Sequence, residues 1–76
     1  MTPRLPSISG DKAVKTLQKA GWTIKSRRGS HVKLVKSGIR RTIIIPVHKG
    51  TVLDRGLLFA IIKHSKLSVD EFMELL

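Results

Sequence analysis

The sequence predicts an α+β fold: one helix, three antiparallel strands and two further helices, with the helices on one face of the sheet. Three observations predict it. Residues 10 to 20 repeat apolar side chains at helical spacing and stop at Gly21. Residues 22 to 47 hold three strand-like runs parted by Gly29 and by Ser37-Gly38. Beyond Lys49-Gly50, helical spacing returns behind two capping residues, Asp54 and Ser68.

Residues 1 to 8 carry Pro3 and Pro6 and read as an extended arm. Ser9 then offers a hydroxyl to cap the first helix. On that helix Ala13, Val14, Leu17 and Ala20 fall on one side, and Lys12, Lys15 and Lys19 on the other. Gly21 can take the positive φ that ends a helix, and Trp22 stands where a hydrophobic contact closes the cap.

Strands follow. Trp22 to Arg28 alternates Trp22, Ile24 and Ser26 against Thr23, Lys25 and Arg27, which predicts a half-buried first strand. Ser30 to Lys36 puts Val32 and Leu34 on one face and His31, Lys33 and Val35 on the other. Arg40 to Val47 is rich in β-branched residues and is expected to be the most buried of the three. Pro46 cannot donate to a ladder, so it belongs near a strand end or on an edge.

Asp54 can cap a second helix over about residues 55 to 65. Its Leu57, Leu58, Phe59, Ile61 and Ile62 sweep a wide apolar arc of about 200°. That exceeds what one sheet contact needs, so the extra surface must meet something else. Ser68 and Glu71 form a capping box for a short final helix with Val69, Phe72, Met73 and Leu76 along one face.

Seventy-six residues make one small domain, 1–76, with a core that buries only about 60% of the unfolded surface. There are no cysteines, so no disulfide supports it, and a reducing compartment fits. The longest apolar runs, Ile43 to Val47 and Leu57 to Ile62, fall far short of the roughly 18 to 20 residues that span a bilayer. The opening MTPRLPSISG lacks the apolar core of a secretory signal. A soluble cytoplasmic protein is expected.

Charge is the outlier. Fifteen Lys and Arg against five Asp and Glu give a net charge of +10. Eleven of the cations lie between Lys12 and Lys49, a stretch without one Asp or Glu. This segregation predicts a basic front and a polyanionic partner. The alternative is an ordinary solvated surface whose charge aids solubility.

Several chemistries are excluded by what is missing. Neither G-x-G-x-x-G nor a Walker motif occurs. The three histidines stand 17 and 16 residues apart, without carboxylates at ligand spacing, so no zinc site or other cofactor is expected. A magnesium-dependent nuclease needs clustered carboxylates, and the basic region has none. Phosphodiester cleavage here would therefore proceed without a metal.

That restriction points at RNA, which carries its own nucleophile in the 2′-hydroxyl. A base must remove its proton, and cations must stabilise the phosphoryl oxygens. Arg27-Arg28-Gly29-Ser30-His31-Val32-Lys33 and on to Lys36 supplies such groups within ten residues. His31 shares a face with Lys33, opposite Val32 and Leu34. Gly29 allows close backbone approach, and the Ser30 hydroxyl can bond a phosphate. An ordinary exposed strand histidine is the competing account.

Four segments in register also resemble the HicA family of mRNA interferase toxins. They are Gly21-Trp22, Gly29-Ser30-His31, Pro46-Val47-His48 and Leu67-Ser68-Val69-Asp70-Glu71-Phe72, and the resemblance covers residues 8 to 73. It implies a double-stranded-RNA-binding-domain-like fold, α-β-β-β-α with a short extra C-terminal helix. It also implies endonuclease activity on mRNA, a part in stress response, and a HicB-type antitoxin that blocks the toxin. The family's catalytic histidine carries onto His31, and His48 matches the second family histidine. RNA contacts are expected from Lys25, Arg27, Arg28, Gly29, Ser30, Lys33, Lys36, His48 and Lys49. One departure is visible: Gly56-Leu57 stands where the family usually has Gly-Thr, so a hydroxyl at that helix start is lost.

Two other readings compete. A non-catalytic RNA-binding module of the same fold explains the charge equally well. A DNA-binding regulator fits less, because no helix-turn-helix pair is visible and the basic surface is largely on strands.

Overall fold

Ser9 sets where the first helix begins. In the computed structural model, which describes residues 5–76, its hydroxyl accepts from the Lys12 amide at 3.1 Å, and α1 runs Gly10–Lys19. Ala13, Val14 and Leu17 are buried on its inner side, as spacing predicts. At its end Gly21 adopts a φ of 99°. The Gly21 amide then reaches the Gln18 carbonyl and the Trp22 amide reaches the Leu17 carbonyl. This paired closure satisfies carbonyls that a bare helix end would leave open, and it seats Trp22 in the core.

Three antiparallel strands follow, β1 (Thr23–Arg28), β2 (His31–Lys36) and β3 (Ile39–Pro46), in the spatial order β1-β2-β3. Helices α2 (Arg55–His64) and α3 (Val69–Leu75) complete the chain order α-β-β-β-α-α. One core joins Val32, Leu34, Ile43 and Ile45 of the sheet to Leu17, Leu58, Ile61, Ile62 and Phe72 of the helices. The architecture is the expected α+β fold.

Two expectations about the sheet are corrected. The first strand is not half-buried, because every residue of β1 is exposed. Trp22 is buried, but it precedes the strand as part of the α1 closure. The alternation also breaks: Ile24 pairs with Leu34 and Ser26 with Lys33, which leaves Lys25 as an extra residue between them. This bulge moves Ser26 off the face of Ile24 and onto the face of Lys33.

Nor is the third strand the most buried. It lies at a sheet edge and alternates, with Ile43 and Ile45 inward and Ile44 outward. The central strand β2 holds that place, with Val32 and Leu34 fully buried. Pro46 ends β3 on that edge, where its missing donor costs no ladder bond.

Among the described residues, both outer strands leave an unpaired edge. Lys25, Arg27 and Arg28 line one, and Arg40 and Arg41 lie on the other.

The helices are fixed at their ends. The Asp54 carboxylate accepts from the amides of Gly56 and Leu57 at 3.1 and 3.3 Å, so the cap of α2 is met without the hydroxyl missing at Leu57. Ser68 and Glu71 make the full capping box of α3. Lys19 donates to the Leu75 carbonyl at 3.0 Å and ties α1 to the end of α3. Of the wide apolar arc on α2, Leu58, Ile61 and Ile62 are buried while Phe59 stays exposed.

The expected arm is described from Leu5 onward, and Pro3 lies outside the described residues. Leu5 and Ile8 are buried in the core. The Leu53 amide donates to the Ile8 carbonyl at 2.8 Å, and the Arg55 guanidinium donates to the Leu5 carbonyl. At the start of α1, Gly10 packs so closely on the Pro46 carbonyl that a Cβ there would overlap it.

Candidate functional site

The site is built on the outer face of the sheet, the side away from the helices. Because Val32 and Leu34 point into the core, alternation turns His31 and Lys33 outward. Antiparallel pairing then sets their neighbours. Arg28 lies opposite His31 on one side and Pro46 on the other. One step along, Ser26 and Ile44 flank Lys33 in the same way.

These side chains enclose an open concavity of about 500 Å³, lined by Ser26, Arg27, Arg28, His31, Lys33 and Ile44. A histidine, a hydroxyl and three fixed cations therefore converge on one depression. No carboxylate faces it, so its field attracts anions. Among the described residues, the one ion pair at contact distance is Lys15 with Asp11 on α1, remote in sequence from all six.

The turn between β1 and β2 positions the closing pair. Gly29 takes a φ of 59°, a value that only glycine adopts freely, and the turn has two residues. The Ser30 carbonyl accepts from the Val47 amide at 2.6 Å, which ties this turn to the end of β3.

Of the residues expected to contact RNA, Arg27, Arg28 and Lys33 line the concavity with His31. Gly29 and Ser30 form the turn at its rim, and Lys25 stands at the bulge on the sheet edge. Lys36 is elsewhere. It shares the inward parity of Val32 and Leu34, and its ammonium donates to the Ala20 carbonyl at 2.8 Å, beyond the last turn of α1. There it opposes the negative end of the helix dipole.

His48 and Lys49 are exposed just past β3. His48 lines a second, smaller depression with Pro46, Thr51, Val52, Leu53, Asp54 and Leu57, so His31 and His48 line different depressions. His64 lies in α2, and its pKa is lowered by burial first and then by Arg41, Lys63 and Lys66.

Two lining residues escape a reading of the sequence, Ser26 and Ile44. Strict alternation places Ser26 on the other face, and only the bulge returns it. Ile44 sits in the apolar run Ile43-Ile44-Ile45, which looks buried throughout until its pairing with Lys33 puts Ile44 on the uncovered face of the sheet.

Fold and site together define a small α+β protein that presents a cationic, histidine-bearing sheet face. A family model described as the HicA toxin of bacterial toxin-antitoxin systems matches residues 10–67. The chain belongs to the HicA toxin family, as the toxin partner of an antitoxin. No curated protein matches it. Among the described residues, no helix is long and apolar enough to cross a membrane.

Proposed function

We propose that this toxin is a metal-independent endoribonuclease that cleaves mRNA, with His31 as its catalytic residue. One observation carries the reading: His31 opens onto the same concavity as Arg28, Lys33 and Ser26. An imidazole there can take the proton of a ribose 2′-hydroxyl. The freed 2′-oxygen bonds to the adjacent phosphorus, the bond to the 5′-oxygen breaks, and that oxygen leaves with a proton from solvent. Arg28 and Lys33 offset the charge that gathers on the phosphoryl oxygens, and the Ser26 hydroxyl can donate to one of them. The products are a 2′,3′-cyclic phosphate and a 5′-hydroxyl.

Neutralisation follows from the same charge. A HicB-type antitoxin with an acidic surface, seated over the concavity, would exclude RNA and offset the net charge of +10. The chain acts in the cytoplasm, where its RNA is.

The experiment is to incubate RNA with the purified chain, with and without EDTA, and to identify the new ends. Cyclic phosphate ends that form equally in EDTA support the proposal. Binding without cleavage replaces it with a non-catalytic RNA-binding module.

A further inference from the structure

Ile44 is the exception on the site's face. Its neighbours in the concavity are a hydroxyl, three cations and an imidazole, yet it exposes 49% of its surface among them. Ile24, Val52 and Phe59 are also exposed, but none of them lines the cationic depression. The pairing fixes where Ile44 stands. It lies across from Lys33, and it is two residues from Pro46, the partner of His31. Ile44 and His31 are thus diagonal neighbours on one face, a relationship that corresponds to about 7–8 Å.

That spacing is about the reach of one nucleotide. A base lying on Ile44 places its own ribose toward His31 and the following phosphate among Arg28 and Lys33. We propose that Ile44 is the base-contacting residue of the site, and that the substrate is single-stranded RNA held by one unpaired base against this side chain. The proposal rests on the ribonuclease reading and names its substrate form.

Two physical arguments favour a single strand. An A-form duplex turns phosphates and 2′-hydroxyls outward and hides its base faces in the stack, so it has nothing apolar to set on Ile44. Attack by the 2′-oxygen also needs that oxygen in line with the leaving 5′-oxygen, a geometry the A-form backbone does not offer. An unpaired nucleotide meets both needs, because its base face is free and its sugar can turn.

The test separates base contact from phosphate contact and requires no cleavage. The wild-type chain is titrated against a labelled random-sequence pool of about ten 2′-O-methyl nucleotides, which cannot be cut. It is also titrated against an abasic 2′-O-methyl strand of equal length. The expected result is a preference of about three- to tenfold for the base-bearing pool. Ile44→Thr, which keeps the β-branch and adds a hydroxyl, should erase that preference and leave the salt dependence unchanged. Ile44→Val should retain most of it.

Equal affinity of the wild-type chain for both strands would overturn the assignment of Ile44 and leave the ribonuclease reading standing. An unchanged preference in Ile44→Thr would do the same. If the wild-type chain binds neither strand, the nucleic-acid reading itself falls.

Discussion

Arg28 stands directly across the β1–β2 ladder from His31, and the two close a turn of only two residues. Their approach therefore depends on Gly29, whose φ of 59° an L-residue adopts only with strain. The space around Gly29 is open, so the backbone alone is tested by a substitution there. Gly29→Ala should cost about 1 kcal/mol in stability, read as a lower melting temperature. Cleavage measured well below that temperature should fall further than the stability loss explains, since the turn aims the Arg28–His31 pair.

The three histidines make a graded comparison. His31→Ala should reduce cleavage by about 10²- to 10⁴-fold while RNA binding and melting temperature hold, because the exposed side chain leaves no cavity. His48→Ala, on the neighbouring depression, should give at most a partial loss. His64→Ala should cut at the wild-type rate, since His64 lies on α2 beside Arg41, Lys63 and Lys66. Wild-type cutting by His31→Ala would transfer the catalytic role elsewhere.

Salt dependence should distinguish two lysines that the sequence treats alike. Lys33 lines the concavity, so Lys33→Met should flatten the plot of log K against log salt by about 0.7 for a single strand. Lys36 bonds the Ala20 carbonyl instead. Lys36→Met should leave the slope unchanged and lower the melting point, by a loss of about 1 kcal/mol at most. Equal slope changes in both variants would contradict this division.

The cap of α3 predicts an acid-side effect. Hydrogen bonds from the Ser68 backbone and side chain hold the Glu71 carboxyl below its ordinary value of 4.5. A carboxyl lowered on folding adds stability above its unfolded pKa, and that stability is lost as pH falls through the folded value. Ser68→Ala should therefore lower the melting temperature at pH 7, with the gap from wild type narrowing below about pH 4.5. A gap constant down to pH 3 would show that the Ser68 hydroxyl does not act through the charge on Glu71.

Much of the fold was legible because it is decided locally. Ser9, Asp54 and Ser68 each cap the helix they precede, and Gly21 ends the one it follows. A cap needs only three or four neighbouring residues, and all of them are visible in the sequence. The sheet is different. The bulge at Lys25 depends on how β1 registers against β2, and the exposure of Ile44 depends on which face of the sheet the helices cover. Neither fact is written in a single strand. His31 and Lys33 were legible as an outward pair because they alternate with Val32 and Leu34. The same alternation turns Lys36 inward, toward the end of α1, a placement that charge alone does not reveal.

The two open edges of the sheet are guarded by charge rather than by cover. Lys25, Arg27 and Arg28 on one side, and Arg40 and Arg41 on the other, would meet their own kind if two copies tried to pair strand to strand. Such a guard discriminates by sign. It repels another copy of this chain and admits an acidic strand, so the charge that opposes self-pairing along an edge also selects what can dock there. The guard weakens as ions screen it, over about 8 Å at physiological salt and about 3 Å at 1 M. Concentrated brine should then let copies of the toxin stick to one another, and a neutralising partner would have to shield the edges it discharges.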